Sequence, residues 1–389
     1  MIPRDLPNLL AHATLPDPLA GAIGAHRLIL RRAWPRDENR LLLEYATPQG
    51  RIVAAQWAGD QRVLARVLGQ TAAAAPHAVV GITRAGSERI LVQPGGADRE
   101  IPALAHFLRD QPATLISHRV ERRAVALGPD GRFIKFTRSD SHTRAAMEMG
   151  RRVWALPRRR FDVPELLDCI PAEGRLAWSA LSGHSWRECI TQGRSSDVSR
   201  DVGHALRELH DATPETAGIP VHDAAAEARV LRRWVRNALD YALISQADAD
   251  SCDDLLSDLA RGPVPYCLIH RDFHERQVLI SLAGRVGIID FDTLSIGEPA
   301  LDLGNVLAHL DLAAKQNAAS PAALAQHASA FLDGYGPSRE LLRRAAAYRA
   351  TSALRLKCLH TFRPRPQTAP DASERCPTAA RNTPAPTAP

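Results

Sequence analysis

The sequence predicts a mixed α+β protein of two unequal lobes, a small antiparallel-sheet lobe and a larger, mainly helical one, preceded by an α+β cap. Three observations predict it. Residues 113–182 hold short apolar segments separated by turn chemistry, above all Gly128-Pro129-Asp130-Gly131, which reads as antiparallel strands. From about residue 198 the apolar spacing becomes helical, as in Val202, Leu206 and Leu209, or Val230, Leu231, Trp234 and Leu239. Between the helical stretches, residues 264–292 carry three short apolar runs with aspartates at their ends.

Taken in order, residues 1–112 form the cap. Residues 40–45 and 51–57 flank Thr47-Pro48-Gln49-Gly50, a hairpin signature. A third strand is expected near 89–92, and 100–110 reads as a helix with Ile101, Leu104, Phe107 and Leu108 on one face. In the small lobe, 113–182, strands are expected at 114–117, 122–127 and 132–136, then a helix over 139–156 capped by Asp140 or Ser141, and a last strand from Leu176. The helical lobe, 183–362, contains helices at 198–212, two within 224–259, and others at 322–335 and 340–361. The tail, 363–389, is rich in Pro, Ala and Thr with almost no apolar anchors, a disordered composition.

The chemistry concentrates in His270-Arg271-Asp272-Phe273-His274-Glu275-Arg276-Gln277, followed by Gly287-Ile288-Ile289-Asp290-Phe291-Asp292. Residues 264–269 read as a buried strand delivering His270 and Asp272 onto a loop; 278–280 and 286–289, joined by Ala283-Gly284, read as a hairpin ending at Asp290. That layout offers what phosphoryl transfer needs. One carboxylate, Asp272, orients and deprotonates an attacking hydroxyl, and another, Asp290, holds the magnesium that bridges the phosphates. Gln277 offers a second, neutral oxygen ligand. Asp302, just after Pro299 at a helix start, reads instead as a structural carboxylate bracing the loop, and His270 as a loop anchor. For Arg271 and His274, phosphate contact and core bracing both stand open.

These residues resemble the aminoglycoside phosphotransferase and choline kinase superfamily, whose signature is H-x-D-x-x-x-x-N followed by a strand ending in I-D-F. Here the first part reads His270, Asp272 and Gln277, and the second Ile289-Asp290-Phe291. The run from Ile296 through Glu298-Pro299-Ala300-Leu301-Asp302-Leu303 to Asn305 is similar to the family's G-D-P-A-x-D-L segment. Gln277 departs from the usual Asn, keeping the amide oxygen on an arm one methylene longer. The H-x-x-Q-V-L of maltokinase-like members is similar to His274, Gln277, Val278 and Leu279.

The resemblance covers roughly residues 113–361 and implies a two-lobed protein-kinase-like fold. It implies magnesium-dependent transfer of the γ-phosphoryl of ATP or GTP to a hydroxyl of a small-molecule acceptor. It implies that Lys135, on the strand at 132–136, binds the inner phosphates and that Glu148, on the following helix, steadies Lys135. The hinge would hold the base by backbone groups at Ser179, Ala180 and Leu181. No glycine-rich loop is present; His118 to Arg123 occupy that turn, with Arg122 or Arg123 as candidate phosphate contacts. His210, in a segment resembling the family's L-x-x-L-H, reads as a bracing histidine.

Composition narrows the alternatives. At 389 residues, 45% hydrophobic and 24% charged, the chain has ample material for a globular core. No apolar run approaches the roughly 20 residues of a membrane span, and the start lacks a signal-peptide pattern, so no membrane partner and a cytoplasmic location are expected. Six cysteines show neither C-x-x-C nor zinc spacing. The net charge of +6 rests on scattered arginines, lysine occurring only at 135, 315 and 357; without aromatic interleaving this points to an anionic small molecule such as a nucleotide, not to nucleic acid. An aminoglycoside acceptor, a polycation, wants an acidic pocket, yet residues 311–361 offer only Asp311, Asp333 and Glu340 against several arginines; a sugar or other neutral or anionic hydroxyl compound fits better. A non-catalytic nucleotide-binding pseudokinase is opposed by intact Lys135, Asp272 and Asp290, and a protein kinase by Asp290-Phe291-Asp292 in place of D-F-G.

Overall fold

The structure is a computed structural model, which describes residue 3 and residues 5–36, 39–212, 218–259 and 265–364. Most of the tail, read from sequence as disordered, lies outside the described residues.

The first part comprises α1 (Leu6–Leu9), β1 (His12–Thr14), α2 (Asp17–Ile23), β2 (Arg27–Arg36), β3 (Arg40–Ala46), β4 (Ile52–Ala58), α3 (Gln61–Ala74), β5 (Gly81–Ala85), β6 (Glu88–Gln93) and α4 (Pro102–Asp110). The expected hairpin is β3 and β4, paired from Arg40 with Ala58 to Ala46 with Ile52. What was not expected is closure: six strands form an antiparallel barrel in the order β1-β2-β3-β4-β6-β5. A sheet that closes on itself leaves no unpaired edge. Every residue of β3 and β4 is buried. Leu41, Leu43, Tyr45, Val53, Ala55 and Trp57 join the main core, whereas Leu42 and Ala54, on the opposite face, pack on Val120 of the next lobe.

The small lobe contains β7 (Thr114–Arg119), β8 (Arg123–Leu127), β9 (Phe133–Thr137), α5 (Asp140–Ala155), β10 (Phe161–Asp162), β11 (Leu166–Ile170) and β12 (Arg175–Trp178). A five-stranded antiparallel sheet runs β11-β12-β9-β8-β7. The Gly128–Gly131 turn sets its register, pairing Leu127 with Phe133 and Val125 with Lys135. Helix α5 is capped by Ser139, whose hydroxyl accepts from the His142 N–H, and not by Asp140 or Ser141. Helix α4, assigned to the cap by sequence, packs Leu104 and Phe107 on this sheet, with the Phe107 and Phe136 rings 5.3 Å apart.

The helical lobe holds β13 (His184–Ser185), α6 (Trp186–Thr191), α7 (Asp197–Asp211), β14 (Val221–His222), α8 (Ala224–Asp240), α9 (Gln246–Leu259), β15 (Cys267–Ile269), β16 (Val278–Ile280), β17 (Val286–Ile288), β18 (Ser295–Gly297), α10 (Pro299–Lys315), α11 (Pro321–Tyr335) and α12 (Arg339–His360). Among the described residues no helix is long and apolar enough to cross a membrane. The α7–α11 crossing is close because Gly203 and Gly334 carry no side chain; a Cβ at either would overlap the facing backbone at Phe331 or Arg200.

The barrel touches both lobes. Toward the helical lobe, the Phe362 carbonyl accepts from Ala33 N–H at 3.0 Å, and Tyr241 Oη donates to the Arg40 carbonyl at 3.0 Å. Toward the small lobe the apolar contact of Leu42 and Ala54 with Val120 is joined by a buried polar one. Glu121, at the β7–β8 turn with φ of 61°, accepts from Arg99 Nη2 at 2.8 Å, from Gln56 Nε2 at 3.2 Å and from Arg40 Nη1 at 3.3 Å. Asp98 completes the network by accepting from Glu121 N–H at 2.7 Å and pairing with His118 Nε2 at 3.0 Å. A buried carboxylate among several donors is costly to break, because the partners are left charged and dry. Glu121→Ala is therefore expected to lower the unfolding free energy by about 3–5 kcal/mol, measured by urea denaturation; a loss under 1 kcal/mol would contradict this account of the docking.

Candidate active site

The strand β15 pairs antiparallel with β18 and ends at Ile269, so His270 to Gln277 leave it as a loop. The backbone turns at once, Arg271 taking a φ of 70°, a region that costs a non-glycine residue roughly 1–3 kcal/mol. A single carboxylate holds that turn. Asp302, fully buried in the first turn of α10, accepts from His270 N–H at 2.7 Å and from Arg271 N–H at 2.8 Å. It is held in turn by His210 Nε2 at 3.1 Å, whose Nδ1 meets Tyr335 Oη at 2.8 Å. The bracing reading of Asp302, His210 and His270 describes what these groups do here: His270 Nε2 lies 2.9 Å from the Ile289 carbonyl, tying the loop to the strand before Asp290. Asn305 adds a tie by donating to the Phe273 carbonyl at 3.0 Å.

On this frame the Asp272 side chain is 42% exposed, with His274 Nε2 at 3.9 Å. No hydrogen bond within the described residues engages its carboxylate, which leaves it able to take a proton from a bound hydroxyl. Asp290, also left-handed at φ of 62°, starts a turn of 3-10 helix over Phe291–Thr293 that folds Asp292 back beside it. Gln277 Nε2 stands 3.4 Å from Asp290 Oδ2, and a half-turn of that amide exchanges its nitrogen for its oxygen.

Lys135, 12% exposed on β9, ion-pairs with Asp292 and reaches within 3.9 Å of Asp290 Oδ1. Arg123 approaches the same two carboxylates, at 2.8 Å from Asp292 and 3.8 Å from Asp290. Burial pushes the Asp292 carboxyl up, but Lys135 and Arg123 outweigh it and hold the group below the usual carboxylate range. Sequence reasoning missed Asp292. Its signal was the second acid of Asp290-Phe291-Asp292, two residues on across a tight turn.

The expected pairing of Glu148 with Lys135 is not what the structure shows. Glu148 is exposed and ion-pairs with Arg152 at 2.9 Å, one turn along α5. The cause is helical phase: Gly150, set against Trp178, and Val153 face inward. Glu148, two residues from Gly150, lies about 200° around the helix from it. At the hinge, Ser179 N–H donates to the Glu165 carbonyl at 2.9 Å, so that donor is already used. Ala180 and Leu181 follow in the connection to β13, Ala180 exposed and Leu181 half-buried. Of the remaining candidates, Arg122 lines a cavity facing the barrel and α8. His274 is buried, its ring stacked on His309 with centroids 4.2 Å apart and planes 7° from parallel. Glu275 beside them is held by Arg187 at 3.0 Å.

The model of the phosphotransferase enzyme family matches residues 112–348, starting where the barrel and α4 end. No curated protein matches the chain. Among solved structures, an aminoglycoside phosphotransferase from Streptomyces rimosus is 18% identical, over 63% of this chain and 93% of that one, with a TM-score of 0.46. A macrolide 2'-phosphotransferase from Brachybacterium faecium is 19% identical, over 63% and 89%, at 0.42. An ethanolamine kinase from Plasmodium vivax is 14% identical, over 66% and 78%, at 0.47.

The stacked histidines make stability depend on pH. Burial, followed by the neighbouring His274, holds the His309 imidazole well below the ordinary histidine value, and burial likewise lowers His274. Below the unfolded value near 6.5 the unfolded chain binds protons that the folded chain refuses, so stability falls as pH falls, by at most about 1.4 kcal/mol per pH unit for each histidine. Urea unfolding between pH 7.5 and 5 is expected to show this loss, and His309→Phe, which keeps the stack and removes one titrating ring, to flatten it. An unchanged slope would contradict the assignment.

Proposed function

This chain belongs to the phosphotransferase enzyme family, and on that premise we propose that it transfers the γ-phosphoryl of ATP or GTP, with magnesium, to a hydroxyl of a small-molecule metabolite. The observation that carries the reading is the convergence of Lys135 and Arg123 on Asp290 and Asp292, beside a loop held by Asp302 that presents Asp272. Two cations from the small lobe pair with two carboxylates from the helical lobe, a set of groups that suits a ligand bearing both signs.

The donor set suits magnesium, which takes hard oxygen ligands and keeps few protein groups. Asp290 and Asp292 supply carboxylate oxygens and Gln277 an amide oxygen, its extra methylene matched by its position within 3.4 Å of Asp290. Magnesium bound there would neutralise charge on the phosphoryl group as it transfers. In this reading Lys135 exchanges its carboxylate partner for the inner phosphates, and Arg123, at the start of β8, contacts the outer ones. Asp272 orients the acceptor hydroxyl and takes its proton. Backbone groups near Ala180 and Leu181 hold the base. Glu148 has no part in the reaction.

For the acceptor, a neutral or anionic hydroxyl compound such as a sugar derivative fits better than a polycationic aminoglycoside. Asp311, one of the few acids available for a polycation, is tied to Arg349 at 2.5 Å.

The test is transfer of γ-labelled phosphate from ATP and GTP to a panel of sugars, amino alcohols and aminoglycosides. Asp272→Asn is expected to lower the rate roughly 10²–10⁴-fold, and absence of label in every acceptor, despite nucleotide binding, would contradict the proposal. Asp292→Asn is expected to cost at least tenfold and to raise the magnesium requirement, whereas Glu148→Gln stays within twofold of the parent. Equal losses in those two variants would restore the pairing that the structure rejects.

A further inference from the structure

The β7–β8 turn, which leads into Arg123, is unusual for the residue at its tip. The turn is closed by the Arg122 N–H on the Arg119 carbonyl at 3.0 Å. Within it Glu121 takes a φ of 61°, a left-handed conformation that glycine or asparagine adopts with less strain. What holds Glu121 there comes from the barrel and from the loop that leaves it. Its N–H donates to Asp98 Oδ2 at 2.7 Å. Its carboxylate, in a residue only 1% exposed, accepts from Arg99 Nε at 2.9 Å, from Gln56 of β4 and from Arg40 of β3.

Two residues on, the strand register decides where the cation goes. Thr137 pairs with Arg123 and Lys135 with Val125. Residues opposite one another, and residues two apart on one strand, share a face. Arg123 and Lys135 therefore project from the same side of the sheet, and both meet Asp290 and Asp292 there. Their supports differ. Lys135 lies on β9, paired with β8 on one side and β12 on the other. Arg123 is the first residue of β8, and its pair with Arg119 is the last before the turn. The direction of Arg123 thus follows the turn, and the turn follows Glu121.

We propose that Glu121 is a positioning residue for nucleotide binding: the barrel, through Glu121, holds the turn so that the Arg123 guanidinium is in place before the phosphates arrive. The inference rests on the reading above, in which Arg123 contacts the outer phosphates. A guanidinium fixed in advance loses less freedom on binding than one carried by a loose turn, and the difference appears as affinity. A segment outside the family match thereby enters the binding step, and it acts through Arg123.

The experiment is a double-mutant cycle on the affinity of the full chain for a fluorescent ADP with magnesium. Arg123→Ala alone is expected to weaken binding about tenfold or more. Glu121→Gln, which keeps the side-chain shape and removes the charge, is expected to weaken it about fivefold in the parent. In the Arg123→Ala background the same change is expected to cost less than twofold, because it acts only through the guanidinium. Arg99→Ala removes a cation from Glu121 at a partly exposed position and gives a second route to the same loss should Glu121→Gln fail to fold. Val67→Ala, which loosens α3 on the barrel and leaves the turn alone, is expected to stay within twofold of the parent. Parent-like binding in the Glu121 and Arg99 variants, an equal loss in both backgrounds, or a loss in Val67→Ala as large as in Arg99→Ala would overturn this proposal alone. Parent-like binding in Arg123→Ala would overturn the phosphate contact and this proposal with it.

Discussion

The Asp302 carboxylate is the constraint on which the loop that presents Asp272 depends. Two consecutive backbone N–H groups point at it, and they can do so only because Arg271 adopts a left-handed conformation that a β-strand exit would otherwise avoid. Hydrogen bonds to a buried charged acceptor are worth about 1.5–3 kcal/mol each, enough to outweigh the strain at Arg271. The same carboxylate is positioned from behind by His210 and Tyr335, which belong to the tightly crossed α7 and α11. The helical lobe thus fixes where Asp272 stands by packing and hydrogen bonding several residues away from it. Asp272 itself stays exposed, and no hydrogen bond among the described residues engages its carboxylate.

A second constraint works from the other side. The turn that follows β7 is not glycine-rich and mobile but pinned, with Glu121 driven into the barrel's polar cluster and Arg123, two residues on, aimed at Asp290 and Asp292. Because the barrel also grips Tyr241 and Phe362 of the helical lobe, it bridges the two lobes whose facing surfaces hold the aspartate pair. Barrel, turn and aspartates form one mechanical unit, so the part of the chain that lies before the family match still bears on the site.

Much of this was legible in the sequence, for identifiable reasons. The small lobe and helices were readable because their apolar periods are regular and their turns carry Gly, Pro and Asp. The placement of Asp272 and Asp290 beyond the ends of short strands, and of the bracing Asp302 at a helix start, was readable from the apolar runs beside them. The barrel's closure was not. Strand β2 is rich in arginine and broken by a register shift between Leu30 and Arg32, which erases the two-residue alternation, and β5 has few large apolar residues. The pairing of Lys135 was misread because the phase of α5 depends on Gly150 fitting against Trp178, a tertiary contact with no local signature.

In the proposed reaction Asp290 and Asp292, here neutralised by Lys135 and Arg123, hold a nucleotide through its magnesium. The most direct measurement is the affinity of the purified full chain for a fluorescent ADP, with magnesium in excess and with the metal chelated. The account predicts binding at least tenfold tighter with magnesium, because the metal gives the two carboxylates and the phosphates a shared partner. Equal affinity in both conditions, or no binding in either, would contradict it.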